Sequence, residues 1–121
     1  MMTEQMSVKI AALPSLRLTV EAHGLMAKKA LGQNFLLDQN ITDKIINLSL
    51  QKQNKKDFSG ANVFEVGPGP GGLTRAVLAA EPKSLTVVEM DERCIAIMNE
   101  IKEKTGDILH IINGDAMQTD F

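Results

Sequence analysis

At the centre of the sequence stands Val63-Phe64-Glu65-Val66-Gly67-Pro68-Gly69-Pro70-Gly71-Gly72-Leu73-Thr74. The β-branched and aromatic residues at its start predict a short strand. A glycine-rich turn follows, and Leu73–Ala80 then shows an apolar helical pattern. Glycine has no Cβ, so its backbone can approach a ligand closely, and the first N–H groups of a helix have no partner inside the helix. This order is typical of a site for a nucleotide-type cofactor.

Strand and helix alternate on the C-terminal side of this segment. Ser84–Val88 predicts a second strand that ends in Glu89, and Asp91 can cap a second helix. A third strand over Ile108–Ile112 ends in an Asn-Gly-Asp turn. The βαβαβ order predicts an α/β fold with a parallel, doubly wound sheet and right-handed crossovers, truncated after the third strand.

The N-terminal part of the chain shows a weaker pattern. Residues 1–27 have no sustained hydrophobic period and are predicted to be a loosely ordered extension, broken by Pro14 and Gly24. Asp38 can cap a helix further on. Its apolar residues Ile41, Ile45 and Leu48 fall on one face of that helix, with Ile46 and Leu50 beside it. Residues 28–121 are then the partial cofactor-binding domain.

Composition narrows the class of protein. At 121 residues with 44% hydrophobic and 23% charged residues, the chain is predicted to be one globular domain. No apolar run approaches the roughly 20 residues of a membrane span, and the N-terminus lacks a secretory pattern. The single cysteine, Cys94, fits a reducing cytoplasm and is expected in the core. His23 and His110 have no metal-ligand companions, so we predict a cytoplasmic protein without a metal or a membrane partner.

Charge is distributed unevenly along the chain. Residues 1–56 carry eight Lys or Arg and four Asp or Glu, whereas residues 57–121 carry five and eleven. The first part is therefore basic by four charges and the second acidic by six. A basic arm before an acidic lobe suggests an anionic partner on the N-terminal side and a cationic ligand in the lobe. Solvated charge without a partner is an equally open interpretation.

Gly67-x-Gly69-x-x-Gly72 also matches the dinucleotide fingerprint, and Glu89 follows at about the expected distance of ~20 residues. A carboxylate there accepts hydrogen bonds from ribose hydroxyls in any adenosine-containing cofactor. A NAD-dependent oxidoreductase domain is therefore one alternative. A tight turn without any ligand is the other.

Acidic residues mark the end of each predicted strand. Glu65 lies beside the glycine turn, Glu89 and Asp91 end the second strand, and Asp115 ends the third. This much negative charge would repel a pyrophosphate but attract a sulfonium and an α-amino group. S-adenosylmethionine combines both cations with adenine and ribose. Asp91 is equally explained as a helix cap and Asp115 as part of a turn.

Four motifs together resemble one enzyme family. They are Lys28-Lys29-x-Leu31-Gly32-Gln33-Asn34-Phe35-Leu36, Glu65-x-Gly67-x-Gly69-x-Gly71-x-Leu73-Thr74, Glu89-x-Asp91 and Gly114-Asp115-Ala116. In this order they resemble the ribosomal RNA adenine dimethyltransferases, and the Gly-Pro-Gly-Pro-Gly-Gly turn is most similar to the small-subunit enzymes. The resemblance implies a Rossmann-like class I methyltransferase fold. It also implies S-adenosylmethionine-dependent dimethylation of adenine N6 in small-subunit ribosomal RNA during ribosome assembly.

The resemblance implies roles for individual residues. Asn34 and the backbone at Leu36 would hold the methionine end of S-adenosylmethionine, while Gln33 and Phe35 would help fold the arm over the site.

The remaining implied contacts lie in the strand–helix part of the chain. Gly67 and Gly69 would let the backbone lie against the cofactor. Glu89 would accept from the ribose hydroxyls, and Asp115 would accept from the adenine amino group.

The family's substrate motif is missing from this sequence. That motif, Asn-(Leu/Ile)-Pro-Tyr, clamps the flipped target base, but the chain has no Tyr and no Asn-x-Pro triplet. We therefore assign no catalytic residue and expect the cofactor half of an enzyme, inactive alone. A non-catalytic RNA- or ribosome-binding module remains an alternative.

The family's sheet order also predicts an open sheet edge. It places Val63–Val66 between the second strand and a fourth strand that this chain lacks. One sheet face would also lose its covering helices, which would expose some apolar side chains among Phe64, Val66 and Val87. Together these features predict a marginally stable or self-associating chain.

Overall fold

A computed structural model of the chain describes residues 5–25 and 38–117, which form five helices and three strands. In chain order these elements are α1 (Met6–Ala11), α2 (Leu16–Ala22), α3 (Gln39–Lys52), β1 (Asn62–Val66), α4 (Gly72–Ala79), β2 (Ser84–Glu89), α5 (Glu92–Thr105) and β3 (Leu109–Asn113). None of the helices in the described ranges is long and apolar enough to cross a membrane.

The three strands form one parallel sheet in the order β1-β2-β3. Val66 pairs with Val88 at the end of β1, and Glu89 pairs with Asn113 at the end of β3. The carboxyl ends of all three strands therefore lie along one edge. The predicted α/β fold with a parallel sheet is confirmed, and the strand bounds agree within about two residues.

The core lies around the central strand, β2. Its side chains are buried on both faces, as expected for a parallel strand covered by helices. Helix α5 contributes residues that recur every three or four positions and so form one stripe. Its buried residues are Cys94, Ile97, Met98, Ile101 and Thr105. The prediction that Cys94 belongs to the core is confirmed.

Helix α3 is rotated relative to the sequence-based prediction. Thr42, Ile46 and Leu50 are its buried residues, whereas Ile45 and Leu48 are exposed. The buried face is therefore the neighbouring one, which carries Ile46 and Leu50, and not the face of Ile45 and Leu48. Thr42 can be buried because its hydroxyl donates to the Gln39 carbonyl at 3.0 Å, an arrangement that a count of apolar residues does not detect.

The expectation of a loosely ordered extension over residues 1–27 is wrong for the described residues 5–25. They form α1 and α2, with Ser15 accepting a hydrogen bond from the Leu18 N–H to cap α2. Ile10 is part of the hydrophobic core, and Leu16 is buried. Each helix has seven residues or fewer, too short to produce a visible period in the sequence.

Strand β1 lies at the edge of the sheet, and among the described residues no strand lies on its outer side. Phe64 is 56% exposed and Val66 is 61% exposed, as predicted. Val87 is fully buried, so the expectation of exposure is wrong for that residue. The reason is that Val87 pairs with Glu65 and so lies on the opposite face of the sheet from Phe64 and Val66, where it belongs to the hydrophobic core.

Candidate cofactor site

The glycine turn follows β1 at the carboxyl edge of the sheet. The Gly67 N–H donates to the Val88 carbonyl at 2.8 Å, which joins the turn to the end of β2. The Gly71 N–H then closes the turn on the Pro68 carbonyl, and α4 begins at the next residue. Gly67, Gly69 and Gly71 all have positive φ angles.

The glycines of this turn serve two different purposes. A Cβ added at Gly67 or Gly69 would meet no atom of residues 5–25 and 38–117 within 4 Å, so this part of the chain leaves open space beside both residues. A Cβ at Gly71 would lie 2.9 Å from Ile101 Cδ1 and 3.0 Å from Met98 Cε. The first two glycines therefore border space that a ligand can use, and Gly71 lets α5 pack closely against the turn.

Glu89 ends β2 and is fixed against the glycine turn. Its Oε1 accepts the Gly69 N–H at 3.2 Å. Its Oε2 accepts the N–H groups of Met90 and Asp91 at 2.9 and 3.0 Å. Because three backbone donors orient one carboxylate, its position is defined before any ligand arrives. The structure thus brings together two residues that the sequence places 20 positions apart.

Asp115 lies in the loop after β3, next to the end of β2. The adjacent Gly114 N–H donates to the Glu89 carbonyl at 2.9 Å, which holds the two strand ends together. Asp115 is half-buried, and its Oδ1 accepts the Met117 N–H at 2.9 Å. It therefore closes a turn at the same edge as Glu89.

Asp91 caps α5. Its Oδ1 accepts the Arg93 N–H at 2.8 Å, and its Oδ2 lies 2.9 Å from Arg93 Nη2. The hydrogen bonds from Arg93 lower the pKa of Asp91. Because this charge already has a cationic partner, the cap interpretation accounts for Asp91 fully.

Glu65 is a site residue to which sequence reasoning gave no role beyond its place beside the turn. Its Oε1 accepts the Thr74 hydroxyl at 2.7 Å, which connects β1 to α4 beneath the glycine turn. Burial raises the pKa of Glu65, and the Glu89 charge raises it further, whereas the Thr74 hydrogen bond lowers it. The two carboxylates therefore repel each other across the turn.

The Cys94 thiol also lies near Glu89. Burial, and after it the charge of Glu89, raise the pKa of this thiol to about 11, so it is protonated at neutral pH.

We expect Glu65→Gln to change how stability depends on pH. With a raised pKa the folded state keeps its proton to higher pH than the unfolded chain, so ionisation costs stability as pH rises above the ordinary glutamate range. The variant lacks this cost and should gain stability relative to the unaltered chain as pH rises above the ordinary glutamate range, measured by urea unfolding. Glu103→Gln, at an exposed position of α5, is the control. Parallel pH curves for Glu65→Gln and the unaltered chain would contradict the assignment.

Two described residues that flank positions 26–37 in the sequence, Gly24 and Gln39, make hydrogen bonds near this edge. Arg93 Nη1 donates to the Gly24 carbonyl at 3.3 Å, beside the start of α5. Gln39 Nε2 donates to the Gly72 carbonyl at 3.1 Å, at the start of α4. The arm residues with implied roles lie outside the described residues: Gln33, Asn34, Phe35 and Leu36.

Within residues 5–25 and 38–117, no group of three or more His, Cys, Asp or Glu side chains could hold a metal ion. His23 instead lies 3.0 Å from Glu100, which ties the end of α2 to α5.

Comparison with known proteins relates the chain to one family. A family model described as ribosomal RNA adenine dimethylase matches residues 24–121. The ribosomal RNA small subunit methyltransferase A of Allorhizobium ampelinum is 51% identical over 109 residues, which cover 90% of this chain and 38% of that protein. The protein of the same name from Mesorhizobium japonicum is 47% identical over 114 residues, covering 94% and 39%. The chain thus spans about two fifths of the length of these curated relatives.

A solved structure has the same fold. A candidate RNA methyltransferase from Pyrococcus horikoshii superimposes with a TM-score of 0.62 over 100% of this chain and 54% of its own length. Sequence identity is 17%, so this similarity concerns the Rossmann-like fold alone.

Proposed function

This chain belongs to the ribosomal RNA adenine dimethylase family, and we propose that it is the cofactor half of an S-adenosylmethionine-dependent enzyme. The whole enzyme would dimethylate adenine N6 in small-subunit ribosomal RNA during ribosome assembly in the cytoplasm. The observation that carries the proposal is the contact between Glu89 and Gly69 beside open space at the carboxyl edge.

The geometry suits an adenosine group. The Glu89 carboxylate has acceptor capacity beyond its three backbone donors, because two oxygens offer about four lone-pair sites. It would accept from the ribose hydroxyls, and Asp115 would accept from the adenine amino group. Gly67 and Gly69 would lie against the ligand without a Cβ in the way. Asn34 and the Leu36 backbone would hold the methionine end.

The electrostatics favour a cationic ligand. Burial is the main cause of the raised pKa of Glu65, and the charge of Glu89 across the turn raises it further, because the two carboxylates repel each other. A positive charge placed near them would relieve this repulsion, whereas a pyrophosphate would add to it. S-adenosylmethionine would supply a methyl group activated by its sulfonium. The chain's contribution would be to orient that group and to complement its charge.

We further propose that this chain alone transfers no methyl group. The sequence has neither a tyrosine nor an Asn-x-Pro triplet to clamp a target adenine, and no catalytic residue is assigned. The test incubates unmethylated small ribosomal subunits with methyl-labelled S-adenosylmethionine and the chain. We expect cofactor retained with the protein and no label on RNA. Label on adenine N6 would contradict this part of the proposal.

Small-subunit ribosomal RNA is the proposed macromolecular partner. Lys52, Lys55 and Lys56 are exposed at the C-terminal end of α3, within the basic part of the chain. Such lysines can neutralise RNA phosphates, and binding would then weaken steeply with salt.

We also propose self-association through the edge of β1. Val66→Lys should lower the average mass of the chain at high concentration, because a lysine on an edge strand opposes pairing. Analytical ultracentrifugation over a concentration series measures this. Leu48→Lys places the same charge at an exposed apolar position of α3 and should change little. A monomeric unaltered chain at all concentrations would refute this proposal.

A further inference from the structure

A groove of about 670 Å³ lies between the N-terminal helices and the pair α3 and α4. None of the strand-end acids lines it. Its volume falls within the range of about 300–1,000 Å³ that is usual for small-molecule sites. Nothing in the proposed function uses this groove.

Arg75 forms the buried polar part of the groove. It is only 5% exposed, and its Nη2 donates to the Thr19 hydroxyl at 3.3 Å. In the described part of the chain its Nε–H has no acceptor, and no carboxylate lies within ion-pair distance. Burial lowers the pKa of Arg75. A buried guanidinium is normally paired, because a desolvated charge without a partner is costly.

Two further groups extend this polar end. Arg17 lines the groove from the exposed side of α2 and adds a second cation. Gln39 donates through Nε2 to Asp43 at 3.0 Å, whereas its buried Oε1 has no donor among the described residues. The groove therefore offers cationic donors for an anion, beside a buried amide oxygen that lacks a donor among the described residues.

The remaining wall is mostly apolar, with Ser7 and Ser15 as its polar residues. Ile10, Leu13 and Leu16 line it from α1, α2 and the link between them. Apolar side chains of this size can cover the flat face of an organic ring.

From this arrangement we propose that the groove binds a phosphate group carried on an organic ring system, as in a nucleotide. Arg75 and Arg17 bind the phosphate with charge-assisted hydrogen bonds. The organic ring packs on the apolar wall. A free mononucleotide and a nucleotide of an RNA strand share this chemistry.

Calorimetric titration with uridine monophosphate tests the proposal, because this probe lacks the adenine that the other site would recognise. Arg75→Met should weaken binding by about tenfold or more, and Arg17→Gln by a smaller factor. Asp43→Asn removes the one acidic side chain of the groove and should tighten binding. Lys83→Gln makes the same charge change as Arg17→Gln at an exposed position outside the groove and should have no effect.

The affinities of the variants decide whether the groove binds a nucleotide. Weaker binding by Arg17→Gln together with tighter binding by Asp43→Asn supports the proposal even if Arg75→Met does not fold. Absence of binding, or equal affinities in these two variants and the unaltered chain, overturns it. If hexauridylate binds much more tightly than the mononucleotide, with the same dependence on Arg17, the nucleotide that the groove binds is part of an RNA strand. Arg17→Gln should leave S-adenosylmethionine binding unchanged, so failure here is distinct from failure of the proposed function.

Discussion

Replacing Glu89 by alanine should weaken S-adenosylmethionine binding by about 100-fold or more. Hydrogen bonds to a charged group contribute about 1.5–3 kcal/mol each, and two ribose hydroxyls would lose their acceptor. The same change frees the Gly69 N–H and both N–H groups of the following loop, so the turn also loses its anchor. Equilibrium titration with the cofactor measures the effect.

Two further variants separate charge from shape at this position. Glu89→Gln keeps an acceptor but removes the charge, so its affinity should fall between those of the unaltered chain and the alanine variant. Glu103→Ala removes an exposed glutamate in α5, away from the strand ends, and should bind normally. Normal affinity in a folded Glu89→Ala variant would show that this carboxylate does not bind the ribose.

The second large effect is expected from Gly71→Ala. The residue has a φ of +93°, and the new Cβ would lie 2.9 Å from Ile101 Cδ1 and 3.0 Å from Met98 Cε. Left-handed backbone costs about 1–2 kcal/mol for a residue with a Cβ, and overpacking adds about 1–3 kcal/mol. We therefore expect a loss of about 2–5 kcal/mol in the free energy of unfolding, measured with urea.

Gly60→Ala is the matched control for the backbone contribution. Gly60 also has a positive φ, of +78°, but a Cβ there would meet no atom within 4 Å. Its loss should be limited to about 1–2 kcal/mol. Equal losses in the two variants would mean that close packing of the turn against α5 contributes nothing.

Local sequence signals were sufficient to predict the sheet and its acidic edge. The strands and the capped helix α5 are marked by residues within a few positions of each end, such as Asp91 and Gly106. Parallel topology then requires the strand ends to meet, and the contact between Glu89 and Gly69 follows from it.

Contacts between distant parts of the chain could not be predicted in this way. The burial of Ile10 depends on packing against helices that come much later in the sequence, and α1 alone is too short to show a period. The rotation of α3 depends on how Gln39 binds the start of α4 and on the internal hydrogen bond of Thr42. The buried environment of Arg75 is likewise created by α2, through Thr19.

Isothermal titration of the unaltered chain with S-adenosylmethionine and, separately, with NAD tests the proposed cofactor most directly. We predict saturable binding of S-adenosylmethionine at one site per chain and no binding of NAD. Binding of NAD instead would support the oxidoreductase interpretation of the glycine fingerprint. Absence of S-adenosylmethionine binding to a folded chain would contradict the proposal that residues 28–121 form the cofactor site.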